Sequence, residues 1–165
     1  MFELKPISRE AIPDALDKAV RYRLLNEPAL AESICLDILR IDPNNQQALV
    51  TLLLSLTDQL GSGGAANEAK AVIPHLTDEY DRAYYSGIIC ERSAKSQLDH
   101  ATPGAPFEAY DGFHEAMQWY EKAEALRPPG NDDAVLRWNT CVRILKKYPS
   151  LRPRPEESFE PVLGE

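Results

Sequence analysis

The chain has 165 residues, of which 44% are apolar and 27% charged, and its formal net charge is −8 at pH 7. This length fits one domain, and the apolar fraction suffices for a packed core, which argues against a wholly disordered chain. The acidic balance disfavours binding to a nucleic-acid backbone, since such binding needs a basic surface that displaces counterions.

The beginning of the chain and its cysteines favour a reducing compartment. The first ten residues, MFELKPISRE, lack the positive start and apolar run of a signal peptide. The longest apolar-rich run, ALVTLLLSL, is too short to span a bilayer. Cys35, Cys90 and Cys141 are widely spaced within apolar helical patterns, as is typical of reduced, buried cysteines. We therefore expect a cytoplasmic protein without a membrane or nucleic-acid partner.

The spacing of apolar residues predicts an all-α chain. These residues recur at three- and four-residue intervals, and strand-like alternation is rare. Proline- or glycine-containing breaks, such as NEP at 26–28 and GSGG at 61–64, separate the periodic segments. Seven helices in antiparallel pairs are predicted, over residues 12–25, 29–41, 46–60, 66–76, 78–97, 113–126 and 132–147.

Two segments are predicted to lack helical structure, besides the short N-terminal segment 1–11. Residues 98–112, LDHATPGAPFEAYDG, form a turn-rich loop in which Phe107 and Tyr110 either cover a groove or, as we prefer, pack on neighbouring helices. Residues 148–165 are rich in proline and glutamate, which predicts a flexible tail. That tail would dock into a groove or remain free.

A repeat is visible in the chain. CLDILRIDP, which ends at Pro43, and YEKAEALRP, which ends at Pro128, close two segments with a similar pattern. The two prolines are 85 positions apart, which equals two periods of 34 residues and a surplus of 17. A 34-residue period is typical of helix–turn–helix repeats. We assign units to 12–45, 46–79 and 80–130, with the surplus in loop 98–112 and a capping helix at 132–147.

Small and larger residues alternate at fixed positions in the second helix of these units. The first unit has Ala31, Cys35, Ile38 and Pro43, and the third has Ala116, Tyr120, Ala123 and Pro128. Over residues 12 to 145 this pattern resembles the tetratricopeptide repeat family. The resemblance implies a right-handed α–α superhelix of about three hairpins and a capping helix. An irregular helical bundle is the alternative.

Other positions agree less well with the family. Gly87 falls on the glycine position of the first helix in the third unit, whereas Ala15 and Ala19 stand where the family prefers Trp and Gly. The second unit has no closing proline, and its small position is either Ala65 or Ala69.

The chain lacks a recognisable catalytic or cofactor pattern. In HEAMQ, Gln118 stands where a zinc-hydrolase helix needs its second histidine. GSGGAA has neither the preceding strand nor the following Gly-Lys-Ser/Thr of a phosphate loop. Cys90 has no histidine partner nearby in sequence. We therefore expect no enzyme, metal site or cofactor.

In the tetratricopeptide repeat family, the first helices of the units line a concave groove that binds peptides. The resemblance implies an apolar groove with an arginine rim, although the same side chains could be core or solvated edges. One branch of the family grips a terminal carboxylate with Lys and Asn, and the apolar residues at those positions here argue against that partner. The predicted groove residues are Leu16, Val20, Arg23, Leu24, Val50, Leu54, Tyr84, Ile88, Arg92, Leu136 and Arg143, with Glu91 beside them.

The resemblance implies a bacterial protein–protein interaction module that acts as an adaptor, a chaperone-like holder or a regulatory subunit. Its groove would bury the apolar side chains of a polypeptide, and the arginines would orient that partner. The alternative is a structural homo-oligomer, such as a homodimer, that uses the same apolar surfaces. An unrecognised enzyme is a distant third hypothesis, because it would need convergent polar groups in a pocket.

Overall fold

The structure is a computed structural model that describes residues 1–61, 64–100 and 102–156. This part of the chain contains seven α-helices, two short 3-10 turns and no strand, so the predicted all-α class is confirmed. None of these helices is both long and apolar enough to cross a membrane. The helices are α1 (Ile12–Leu24), α2 (Pro28–Ile41), α3 (Gln46–Thr57), α4 (Ala65–Val72), α5 (Glu79–Leu98), α6 (Ala105–Leu126) and α7 (Asp133–Lys147).

Local capping interactions explain where several helices begin. Pro28 opens α2, where the missing N–H of proline leaves no intrahelical hydrogen bond unmade. The Asn45 side chain accepts a hydrogen bond of 3.0 Å from the Ala48 N–H at the start of α3. Asp78 accepts one of 2.8 Å from the Tyr80 N–H at the start of α5. Such caps typically contribute about 1 kcal/mol each.

The predicted loop 98–112 is wrong over its second half, because α6 already begins at Ala105. Pro106 lies in the first turn of this helix, where proline is tolerated. Gly112 is inside the helix, and a Cβ there would lie 2.9 Å from the Ala94 Cβ on α5. The glycine therefore permits close packing of two helices and does not form a turn. Because Phe107 is also helical, it belongs to α6 and is not part of a loop over a groove.

The surplus of 17 residues is therefore accommodated largely as helix. α5 has 20 residues and α6 has 22, whereas α1, α2 and α3 have 12 to 14. Only residues 99–104 connect α5 to α6. The third hairpin is longer than the first two, and α7 packs against it.

The flexible tail predicted for 148–165 is wrong for its first part. Leu151 is only 5% exposed and belongs to the core around α5, α6 and α7. Its backbone N–H donates a hydrogen bond of 2.9 Å to the Tyr148 carbonyl. The Arg154 guanidinium lies 5.4 Å from the centre of the Phe107 ring. Residues 157–165 of the predicted tail lie outside the described part of the chain.

Equivalent small residues are buried in the second helix of each hairpin. Ala31, Ala69 and Ala116 are fully buried. The residues seven positions later in each unit are also fully or almost fully buried, and they are Ile38, Leu76 and Ala123. Ala65 and Val72, which are also seven positions apart, are buried too, so burial does not distinguish Ala65 from Ala69 as the small position of the second unit.

The first helices of the three hairpins lie side by side. Late in these helices, the side chains of Arg23 on α1 and Arg92 on α5 meet Asp58, which directly follows α3. Nearer their beginnings, residues of the same three helices share one cleft. The first halves of α1, α3 and α5 therefore lie near one another, and so do their last turns. The three helices consequently run in the same direction.

Candidate functional site

An open cleft of about 460 Å³ lies across α1, α3 and α5. Its apolar part consists of Leu16 and Val20 from α1, Val50 from α3 and Tyr85 from α5. Val20 is 46% exposed, so this apolar surface is accessible to a ligand. The polar residues of the cleft are Asp17, Gln46, Gln47, Thr51 and Asp81.

Two unpaired carboxylates give the cleft a negative charge. Asp17 on α1 is exposed and Asp81 on α5 is half-buried, and within the described residues neither forms a hydrogen bond or ion pair through its side chain. Burial and, secondarily, the nearby charge of Asp78 raise the pKa of Asp81 above its usual range. None of the described residues that line the cleft is a Lys or Arg.

Two of the arginines predicted for the groove rim are paired within the molecule. Asp58 Oδ2 lies 2.7 Å from Arg23 Nε, and Asp58 Oδ1 lies 2.6 Å from Arg92 Nη1. Arg92 also donates a hydrogen bond of 2.8 Å to Thr57 Oγ1. Burial lowers the pKa of Arg92, while Asp58 opposes that shift. These ion pairs connect α1, α3 and α5, and the carboxylate of Asp58 compensates much of the positive charge of the two arginines.

A buried carboxylate connects α5, α6 and α7. The Glu91 side chain is 0% exposed. Its Oε2 accepts hydrogen bonds from the Tyr120 hydroxyl, at 2.9 Å, and from Arg137 Nη1, at 3.3 Å. Lys95 Nζ lies 3.4 Å from Glu91 Oε1. Burial, reinforced by Glu91, raises the pKa of Tyr120 far above its usual range, so this hydroxyl remains a donor.

The structure brings only some of the predicted groove residues together. Leu16, Val20 and Val50 line the cleft. Ile88 is only 1% exposed and lies in the core, so the prediction that it faces a partner is wrong. It lies one turn before Arg92 on the same side of α5, but the core of α5, α6 and α7 covers it.

The remaining predicted residues lie beside the cleft or at a distance from it. Leu54 and Tyr84 are partly buried against the core, and the Tyr84 ring stacks 5.7 Å from the ring of Tyr80. Leu24, at 77% exposure, and Leu136, at 61%, are open to solvent on α1 and α7. Arg143 is also exposed, and it has no ion pair within the described part of the chain.

Sequence reasoning did not identify the polar part of the cleft. Asp17 lies three residues before Val20, and Gln46 and Gln47 lie four and three residues before Val50. Asp81 lies four residues before Tyr85. These intervals equal one helical turn. Extending the predicted groove by one turn toward the start of α3 and α5 would have found Gln46, Gln47 and Asp81, whereas Asp17 directly follows the predicted groove residue Leu16.

The three cysteines lack the lowered pKa of an activated thiol, and the described residues form no metal-ligand cluster. Burial raises the pKa of Cys35, Cys90 and Cys141 to about 12 in each case, with additional contributions from Glu32, Glu115 and Glu91 respectively. These thiols therefore stay protonated at neutral pH, whereas a nucleophilic cysteine needs a lowered pKa. No group of three or more His, Cys, Asp or Glu side chains converges as metal ligands in the described ranges.

A larger cavity, of about 700 Å³, lies at the opposite end of the third hairpin. It is bounded by the end of α5, the beginning of α6 and the end of α7, and its lining includes Lys95, His100, Ile144 and Tyr148. Lys95 already lies against Glu91, and His100 Nδ1 is 2.7 Å from the Ser96 carbonyl oxygen. The cavity combines the cation Lys95 with the carboxylate of Asp99, whereas both charged residues of the cleft across α1, α3 and α5 are unpaired carboxylates. The cleft is therefore the better candidate, because its charge has one sign.

Comparison with known proteins finds no matching family model, no matching curated protein and no matching solved structure. The resemblance to tetratricopeptide repeats therefore depends on the residues and helical hairpins described above.

Proposed function

We propose that this chain is a tetratricopeptide-like protein that binds another polypeptide on the face formed by α1, α3 and α5. The observation that supports this function best is the open cleft, in which Leu16, Val20 and Val50 present apolar surface beside unpaired polar groups. A partner's side chain would gain about 25 cal/mol per Å² of apolar surface buried, less the cost of ordering both surfaces.

The proposed architecture is a right-handed superhelix of three hairpins, with α7 as its cap. The common direction of α1, α3 and α5 supports it, because stacked hairpins place their first helices on one side. The buried positions Ala31, Ala69 and Ala116 support it further, since small residues let paired helices approach closely. In this arrangement the cleft lies on the surface that the first helices share.

The proposed location is the cytoplasm of a bacterial cell. The three cysteines are unpaired, and two of them are buried, which agrees with a reducing compartment. The proposed role is that of an adaptor, a chaperone-like holder or a regulatory subunit.

Site-specific photo-crosslinking tests the binding function. A photoreactive residue at Val20 should give one defined adduct in cells, whereas the same residue at Glu121, which is exposed on α6, should not. Val20→Trp should fill the cleft and prevent binding, while Leu36→Trp, at a similarly exposed apolar position on α2, provides a matched control. Equal adduct formation at positions 20 and 121, or binding that Val20→Trp leaves intact, would contradict the proposal.

Self-association is the second candidate function. Leu24 and Leu25, at the end of α1, and Leu30, early in α2, are exposed large apolar residues close together in the chain. Light scattering over a concentration series distinguishes the two functions. A monomer at high concentration excludes the homo-oligomer, and a dimer that Leu24→Lys dissociates supports it.

A further inference from the structure

We propose that the polypeptide bound in the cleft is basic, and that it places a Lys or Arg side chain between Asp17 and Asp81. This inference rests on the proposed function and specifies the chemistry of its partner. The two carboxylates belong to helices on either side of α3, and both line the same cleft. They are the only charged residues among those described that line it.

Cations of the chain itself do not neutralise these carboxylates. Arg23 is held by Asp58. Arg82, which follows Asp81, donates hydrogen bonds of 2.9 and 3.1 Å to the Leu76 and Thr77 carbonyls. The exposed Lys18 and Arg21 on α1 form no ion pair with Asp17 in the described structure. The cleft therefore keeps a negative charge that an external cation can compensate.

The environment of Asp81 strengthens the argument. Its carboxylate is half-buried next to the charge of Asp78, and this environment raises its pKa, which means that the ionised form is disfavoured in the free protein. A cation bound beside it would remove that penalty. An acidic segment would instead add a third negative charge to a partly dehydrated site.

The apolar part of the cleft fits the stem of a basic side chain. Lys and Arg have long methylene chains that pack on apolar surface while the charged end remains near polar groups. Leu16, Val20 and Val50 provide that surface, and Tyr85 adds an aromatic side chain to the lining. The net charge of −8 also favours the approach of a basic partner over long distance.

Three labelled peptides of equal length test the inference by fluorescence anisotropy. Each has the same helical pattern of leucines, and the positions between them are all Lys, all Gln or all Glu. We expect the Lys peptide to bind most tightly and the Glu peptide most weakly. The double variant Asp17→Asn with Asp81→Asn should weaken binding of the Lys peptide about tenfold and leave binding of the Gln peptide unaffected.

The control changes the same net charge elsewhere. Asp111→Asn with Glu121→Gln removes two exposed carboxylates of α6 and should leave the affinity for the Lys peptide unchanged. Binding of the Gln or Glu peptide as tight as that of the Lys peptide, and sensitive to Val20→Trp, would overturn the basic partner but support the binding function. If none of the three peptides binds the folded protein, both the inference and the proposed function fail.

Discussion

The Tyr120 hydroxyl on α6 donates a hydrogen bond of 2.9 Å to the buried carboxylate of Glu91 on α5. Arg137 on α7 contacts the same Glu91 oxygen, so one carboxylate fixes the positions of three helices. The two partners lie 29 and 46 residues from Glu91 in the chain. This arrangement joins α7 to the hairpin of α5 and α6.

Replacing Glu91 should strongly destabilise the protein. Glu91→Ala would leave Arg137 and the Tyr120 hydroxyl without their partner, and removing one member of a buried ion pair typically costs about 3–5 kcal/mol. Urea unfolding followed by circular dichroism measures this change. Glu91→Gln retains an oxygen acceptor for Tyr120 and should lose less. A free energy of unfolding within about 1 kcal/mol of the wild type for Glu91→Ala would contradict the prediction.

Tyr120→Phe isolates the hydrogen bond from the packing of the ring. The aromatic ring remains in the core, while the hydroxyl that Glu91 contacts is lost. Hydrogen bonds to charged groups contribute about 1.5–3 kcal/mol, so the variant should lose about that amount. Differential scanning calorimetry gives the measurement. Tyr148→Phe, at an exposed position, should have no comparable effect.

Gly87→Ala should destabilise α5, although alanine is the better helix former. A Cβ at position 87 would lie 2.5 Å from Tyr120 Cε1, closer than two carbons can approach. The displaced ring should cost about 1–3 kcal/mol, which exceeds the gain of about 1 kcal/mol in helix propensity. Gly61→Ala is the control, since a Cβ there meets no atom within 4 Å. A more stable Gly87→Ala variant would show that the ring moves without cost.

The helices could be predicted because their apolar periodicity is local, but several features that define the site depend on distant residues. Pro106 and Gly112 are consistent with either a loop or a helix in sequence. Because Gly112 has no side chain, α6 can pack closely against Ala94 on α5, and this contact between the two helices favours the helical conformation. Leu151 stands alone in a proline-rich segment, so no periodicity indicated that it joins the core.

The groove shows the same limit. Ile88 and Arg92 lie one turn apart on α5, and the family resemblance assigned both to the accessible face. In the structure, Ile88 is buried in the core of the third hairpin, whereas Arg92 forms an ion pair with Asp58, the residue that follows α3. Helical spacing predicts which residues share a side of a helix. It does not predict how far the next helix covers that side.

The buried thiols should resist alkylation in the folded protein. Burial raises the pKa of Cys35 and Cys141 to about 12, so almost none of either thiol is thiolate at pH 8. Iodoacetamide labelling followed by mass spectrometry should modify both residues far more slowly than in urea. The half-buried Cys90 serves as an internal comparison. Equal rates in folded and unfolded protein would contradict the burial of these side chains.

Asp81→Asn should separate stability from binding. Burial and then Asp78 raise the pKa of Asp81, so the folded protein holds this proton more tightly than the unfolded chain does. The wild type therefore loses stability relative to the variant as pH rises through the carboxyl range and up to that raised pKa. Melting temperatures measured from about pH 3 to pH 8 should coincide at the acidic end, where both side chains are neutral. At neutral pH the variant should be equally or more stable, yet it should bind a basic peptide less tightly. If the free energy of unfolding of the variant at neutral pH is lower than that of the wild type by more than about 1 kcal/mol, Asp81 stabilises the fold, which would contradict a role in binding alone.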